Sequence, residues 1–310
     1  GTTATTLGKD SSGNGNNFTP NNFSVASGKE GDSFADTPTN NFCTFNSLVN
    51  SNTTQSLSDG GLTRSGGAQK CVGTFVLENN KYYFEYKAED SNGNHAVGVT
   101  QADADMRSRI NTQTASCFAS NGEFKIESGS QTSGFVSWGN GDIVQVAIDT
   151  TLGTPKVWFG VNNSWQGASG SSGSFDASGG YSLTAGKKYV FNADHGSGSS
   201  STTGTAFFGA HQGGFNYDPP TGFVAASQAN LPDPTIKLPN KHFDTLLFTA
   251  NASTQVVTGL NFQPDWVWGK SRSDNYDHEL YDAVRGPLKR LKSNATDAEL
   301  PDAQNLQSFN

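Results

Sequence analysis

The sequence is short of the residues that build helices. Only 15% of its 310 residues are charged, a single Met is present, and apolar residues, Gly not counted, reach 33%. Helix interiors favour Ala, Leu, Glu, Lys and Arg over the Ser, Thr, Asn and Gly that abound here, which excludes a helix bundle or a coiled coil. No run approaches the 18 or more consecutive apolar residues of a membrane-spanning helix, so no membrane insertion is expected. Clustered Lys and Arg are missing as well. The net charge of −8 argues against nucleic acid as a partner. Three cysteines, Cys43, Cys71 and Cys117, cannot all pair and show no C-x-x-C spacing. They read as small buried hydrophobes rather than a zinc site. The opening residues, Gly1 to Leu7, lack the basic stretch and apolar core of a signal peptide. With no initiator Met, the sequence is expected to be a processed or excised piece of a longer chain.

What is present is aromatic and rich in turns: 21 Phe, 5 Trp and 36 Gly. A disordered chain would be poor in aromatics and rich in charge. Lys81–Glu89 alternates cleanly, with Tyr82, Phe84, Tyr86 and Ala88 on one side and Tyr83, Glu85, Lys87 and Glu89 on the other. That period predicts a strand with one buried and one wet face. Asn92-Gly93 turns the chain into His95–Thr100, Asn140-Gly141 leads into Asp142–Thr150, and Leu152-Gly153 leads into Lys156–Val161. Lys188–Ala193 and Ala206–Phe208 read as further strands. Short strands at near-regular spacing predict an all-β protein, an antiparallel sandwich or barrel.

Four regions are expected. Residues 1–32 are polar and Asn/Gly-rich and read as an extended arm anchored by Phe18 and Phe23. Residues 33–235 carry the dense strand pattern. The three prolines of Leu231–Pro239 remove ladder donors and mark a boundary, with 236–240 as the linker. Residues 241–310 start a new β pattern, with strands expected at Phe243–Ala250, Gln255–Thr258 and Asp265–Lys270, and read as part of a second β-sandwich. Within it, Leu280, Val284, Leu288 and Leu291 fall at helical spacing, but Gly286-Pro287 would break a helix there. Gly167–Ser174 and Gly196–Gly204 are low in complexity and read as loops at strand ends.

No constellation of catalytic residues stands out. Glu85 and Glu89 on one strand face are roughly 13–14 Å apart at about 3.3–3.4 Å per residue. A retaining glycosidase wants about 5–5.5 Å, so Glu85, Lys87 and Glu89 read as a solvated face. Asp103 and Asp105 in a loop, and Asp274, Asp277, Glu279 and Asp282 further on, match neither an EF-hand nor a β-roll. A loop-bound Ca²⁺ at Asp103 and Asp105 is the one cofactor these residues offer. The histidines show no metal-site spacing, and no G-x-S-x-G or P-loop is present. The binding candidates are aromatic: Trp266 and Trp268 share a strand face as a stacking platform, and Trp138 and Trp165 fall at turn edges. Asn162-Asn163-Ser164-Trp165-Gln166-Gly167 reads as a hairpin tip where burial of Trp165 is hard.

Several of these stretches resemble a SPRY domain. They are Lys81-Tyr-Tyr-Phe-Glu-Tyr86, Ala96-Val-Gly-Val99, Gly141-Asp-Ile-Val-Gln-Val-Ala-Ile-Asp149 and Val157-Trp-Phe-Gly-Val-Asn-Asn163. Gln145 stands where that pattern has Gly, and Asn162-Asn163 where it has Asn-Gly. Phe215-Asn-Tyr-Asp-Pro-Pro-Thr-Gly-Phe223 is similar to the version in virion proteins of marine bacteriophages. Gly259-Leu-Asn-Phe-Gln-Pro-Asp-Trp-Val-Trp268 and Leu280-Tyr-Asp-Ala-Val-Arg-Gly286 resemble the opening of a concanavalin A-like (LamG-like) module. Asp10-Ser-Ser-Gly-Asn-Gly-Asn-Asn-Phe-Thr-Pro20 resembles the close of one, so 1–32 is alternatively the end of a preceding module. The resemblance implies a SPRY-type, concanavalin A-like jelly roll over 33–235. It also implies a non-enzymatic tail-fibre or other virion protein on the particle surface. Its partners would be other copies of itself, neighbouring virion proteins, and a host-surface glycan or protein. The binding loops would be Ala102–Arg109, Asn162–Gly167 and Gly196–Gly204. The alternatives are a structural spacer or decoration protein and, further off, a polysaccharide depolymerase, which needs a paired-carboxylate cleft.

Overall fold

The computed structural model describes residues 6–21, 34–49, 55–67, 70–91, 94–105, 113–118, 122–130, 132–166, 172–195, 201–210 and 214–309. Its contacts divide the chain into two units, Gly1–Pro232 and Asp233–Asn310, with the division inside the proline-rich segment.

In chain order the first unit carries β1 (Gln55–Ser58), β2 (Thr63–Gly67), β3 (Cys71–Val72), β4 (Lys81–Ala88), β5 (His95–Gln101), β6 (Thr114–Phe118), β7 (Glu123–Ile126) and β8 (Thr132–Ser133). It continues with β9 (Ile143–Asp149), β10 (Lys156–Val161), β11 (Ser164–Gln166), β12 (Ser172–Gly173), β13 (Tyr181–Ser182), β14 (Tyr189–His195), β15 (Ser201–Phe207) and β16 (Val224–Ala225). One sheet runs β1-β2-β15-β4-β9-β10-β11-β12, with β13 beside β10 and β16 beside β4; the other runs β3-β14-β5-β6-β7-β8. Apart from the parallel β16–β4 pair, the pairings of both sheets are antiparallel.

The two sheets close on one core and form a β-sandwich. Tyr82, Phe84 and Tyr86 of β4, Val144, Val146 and Ile148 of β9, and Val157 and Phe159 of β10 come from the large sheet. Val97 and Val99 of β5, Ala115 and Cys117 of β6, and Tyr189 and Phe191 of β14 come from the small one. Phe84 and Phe191 meet across the interface with ring centroids 4.2 Å apart. Aromatic rings thus fill the space that Leu and Ile occupy in most cores, at about 1.5–3 kcal/mol for each large side chain buried. At one end of the sandwich the interior turns polar. Arg64 is fully buried and donates to Thr202 Oγ1 at 2.7 Å. His95 bridges the Tyr86 hydroxyl (3.1 Å) and Asp90 (3.2 Å).

Cys43, Cys71 and Cys117 are buried free thiols. Burial pushes Cys43 and Cys71 up from 9.0 to about 11, and Cys117 rises by the same cause. The native state therefore keeps its thiol protons where the unfolded chain releases them. The stability this gives is complete below pH 9.0 and is lost as pH climbs toward about 11. All three thiols are expected to resist a thiol-specific reagent at pH 8 until denaturant is added. Fast labelling of the native protein would contradict their placement.

Two expectations need correction. Phe18 is 81% exposed, so its ring is not a buried anchor, while Phe23 lies outside the described residues, as does the Asn92-Gly93 turn. The second unit carries four short strands, β17 (Trp266–Gly269), β18 (Glu279–Asp282), β19 (Lys289–Arg290) and β20 (Leu300–Pro301), paired as β17–β18 and β19–β20. Phe243–Ala250 and Gln255–Thr258 form no strand. Their large residues Phe243, Leu247, Phe248, Val256 and Val257 are exposed, and a strand pattern without a neighbour to pair with does not hold a strand. The expectation for 241–310 is part of a second β-sandwich, and among the described residues its strands form two two-stranded sheets. The helical spacing of Leu280–Leu291 is not used either: a turn with Gly286 at φ +92° joins β18 to β19. Among the described residues no helix is long and apolar enough to cross a membrane.

Candidate functional site

The outer face of β4 is not wet. Tyr83 and Glu85 are fully buried beneath a second aromatic layer in which Tyr83, Trp158, Trp165 and Phe223 pack with Phe175 and Phe215. Tyr83 meets Phe215 edge-on at 4.8 Å, and Trp158 Nε1 donates to the Asp176 carbonyl at 2.8 Å. The wet face begins only at Lys87, which is half-buried, and Glu89, which is exposed.

A buried carboxylate needs donors, and Glu85 has four. It accepts from the Asn216 N–H (2.6 Å), the Asn216 side-chain amide (2.9 Å), the Tyr217 N–H (2.7 Å) and the Tyr83 hydroxyl (2.8 Å). Gln145 Nε2 donates to the same tyrosine oxygen at 3.1 Å, and Gln145 Oε1 accepts from the Asn163 N–H at 2.6 Å. Burial first, and then the Glu85 charge, push the Tyr83 phenol well above its ordinary range. One hydrogen-bonded line thus runs from the Asn162–Asn163 hairpin to the segment that covers the sheet. Gln145, which departs from the SPRY-like pattern, is its middle link. A carboxylate held by four donors and closed off from solvent acts as a clamp between β4 and the segment that covers it.

Asn162 and Asn163 form a two-residue hairpin turn with φ +48° and +65°, the backbone that Asn tolerates in a type I′ turn. The Asn162 side chain is spent within the protein. It donates to Asp142 Oδ1 (2.7 Å) and accepts from the Ile143 N–H (3.0 Å), while Asp142 Oδ2 accepts from the Gly139 N–H (2.8 Å). Beside this stitch lies a cleft of about 380 Å³ lined by Phe135, Val136, Asp142, Asn162, Ser164 and Gln166, among others.

The four candidate tryptophans separate into two kinds. Trp165 is 6% exposed and Trp138 4%, so neither is a surface residue. The Trp165 tip folds against the outer aromatic layer, 5.0 Å from Phe175, and Trp138 sits 5.8 Å from the His95 ring inside the sandwich. Trp266 and Trp268 are 46% and 55% exposed, with ring centroids 5.9 Å apart on one face of β17. Trp268 Nε1 donates to His278 Nδ1 at 2.9 Å, which holds the indole in place. The sequence presents His278 only as one of five histidines without metal-site spacing, and its contact with Trp268 is a tertiary one.

The acidic clusters disperse onto separate partners. Asp103 pairs with Lys187 at 2.6 Å and Asp105 is exposed. Asp274 accepts from Ser273 Oγ, Asp277 pairs with Lys292, Glu279 with Arg290 and Asp282 with Arg285. Among the described residues no three His, Cys, Asp or Glu side chains converge as a metal site. The expected binding loops Ala102–Arg109, Asn162–Gly167 and Gly196–Gly204 fall partly outside the described residues.

Residues 238–310 match a family described as a domain of unknown function (DUF7483). No curated protein matches the chain. Similar solved structures include the SPRY domain of human HERC1, at 17% identity and a TM-score of 0.37, covering 49% of this chain and 91% of that one. A human SPRY domain is similar at 18% and 0.36, covering 54% and 98%. The TRIM65 PSpry domain is similar at 13% and 0.34, covering 53% and 91%.

Proposed function

We propose that the protein is a non-enzymatic recognition module of a bacteriophage virion, carried on the particle surface in a tail-fibre-like protein, and that it holds a host-surface glycan or protein through Trp266 and Trp268. The observation that carries this reading is the exposure of two neighbouring indoles on one strand face, one of them fixed by His278. Exposed, oriented aromatic faces suit stacking on sugar rings and apolar contact with proteins. Glu85, the buried carboxylate of β4, is clamped by its four donors, which supports binding without hydrolysis. The virion assignment rests on the resemblance of Phe215–Phe223 and the flanking segments.

A structural spacer is the second reading. It is favoured by the Asp142–Asn162 stitch, which consumes at the cleft the groups a ligand would use. An array of bacterial surface polysaccharides probed with the full chain tests the choice. Retention of at least one glycan, with no reducing sugar released from it, is expected. Silence across the array favours the spacer, and reducing-sugar release revives the depolymerase.

A further inference from the structure

Strand β17 has one open edge, and its geometry fits a second copy of itself. Both backbone groups of Leu280 on β18 are spent away from β17: its N–H donates to the Leu291 carbonyl (2.9 Å) and its carbonyl accepts from the Leu291 N–H (3.0 Å). Opposed residues in an antiparallel pair alternate between hydrogen-bonded and non-hydrogen-bonded, so the Trp268–Leu280 pair is of the second kind. The Ala283 N–H donating to the Asp265 carbonyl at 2.8 Å sets the same phase. Asp265, Val267 and Gly269 therefore turn their backbone groups toward β18, while Trp266 and Trp268 turn theirs to the free edge. Among the described residues no backbone group bonds to that edge.

Sheets usually blunt an open edge with Lys, Pro or a bulge; here Pro264 and Lys270 stand at either end, and Trp266-Val267-Trp268 between them has none of these. The triplet is also a palindrome. A two-fold axis at Val267 sets Trp266 opposite Trp268 of a second copy, both in hydrogen-bonded pairs, with Val267 facing Val267. Asp265 and Lys270, both exposed, flank the triplet on opposite faces of the strand, and the same axis sets Asp265 opposite Gly269 of the other copy, so no like charges are opposed.

We propose that the protein forms a homodimer by antiparallel β17–β17 pairing, giving a four-stranded sheet β18-β17-β17-β18 with four tryptophans on one face. Dimerisation does not depend on what those tryptophans bind. Sedimentation of the full chain is expected to show a monomer–dimer equilibrium. Val267→Lys opposes two ammonium groups across the axis and is expected to weaken association by about tenfold or more, with the circular dichroism spectrum retained. Val267→Cys supplies a second readout. A non-hydrogen-bonded pair places its Cα atoms about 4.5 Å apart, within disulfide range of about 4.4–6.8 Å. Oxidised glutathione should then take two electrons from the two thiols, leaving one intermolecular S–S bond and two reduced glutathiones. The buried native cysteines stay out of this reaction. Val284→Cys, 97% exposed, should cross-link far more slowly. A monomer at every concentration, a trimer, a dimer indifferent to Val267→Lys, or a Val267→Cys variant that cross-links no faster than Val284→Cys would each overturn the proposal.

Discussion

Replacing Glu85 by alanine is expected to cost about 3–5 kcal/mol. The loss would lower the melting temperature of the first unit by about 6–20 °C. The substitution strands two backbone N–H groups, an amide and the Tyr83 hydroxyl in a closed layer, and each unsatisfied donor costs about 1–3 kcal/mol before they are combined non-additively. The same donors tether residues 214–225 to the sheet, so proteolytic cleavage should appear between Phe215 and Phe223 before the rest of the unit unfolds. Glu85→Gln keeps the shape and one acceptor, and should fall between the variant and the parent. Glu89→Ala, four residues along and exposed, should change stability by no more than about 0.5 kcal/mol. Denaturant titration of the three variants checks the order. Equal effects at Glu85 and Glu89 would mean that the outer face of β4 is solvated after all.

Gly98→Ala is expected to be as damaging through a different mechanism. Gly98 sits in mid-β5, opposite Ser116 of β6. A methyl group there would overlap the Ala115 carbonyl oxygen and lie 2.8 Å from Ser116 Cα. Both neighbours are backbone atoms of a central strand of the smaller sheet and have no rotamer in which to retreat. Overpacking of a core typically costs about 1–3 kcal/mol, and a backbone obstruction belongs at or above the top of that range. The β5–β6 ladder must part or the protein must fail to accumulate. Gly153→Ala, in a turn with nothing within 4 Å of the added carbon, should be neutral. Expression yield and thermal melts of the two variants read the difference directly.

These two residues mark how far the sequence could be read. Period-2 alternation says which residues share a face, and Tyr82, Phe84, Tyr86 and Ala88 are all fully buried as that pattern requires. It does not say what lies above the other face. Tyr83 and Glu85 are closed off by Asn216 and Tyr217, more than 130 positions away, a distance at which no local pattern speaks. Trp165 was misread for the same reason, since a hairpin tip is solvent-exposed only if no second layer lies against it. In the second unit, apolar residues at Phe243–Ala250 and Gln255–Thr258 carried a strand signal without the neighbour that strands need. The Trp266–Trp268 pair was legible because two residues of spacing put both rings on one face whatever surrounds them. His278, ten positions from Trp268 and outside any motif, was not. Asn162 and Asn163 were legible as a turn, but their stitch to Asp142 and Gln145 is a tertiary fact.

The central claim is that recognition falls to the exposed tryptophans of the second unit and that the buried ones are structural. The most direct measurement compares the full chain, a Trp266→Ala/Trp268→Ala double variant and Trp165→Phe for binding to the glycans retained on the polysaccharide array. The account predicts that the double variant loses about tenfold or more in affinity, while Trp165→Phe binds as the parent does and is only less stable. Undiminished binding by the double variant, or a loss confined to Trp165→Phe, would contradict it.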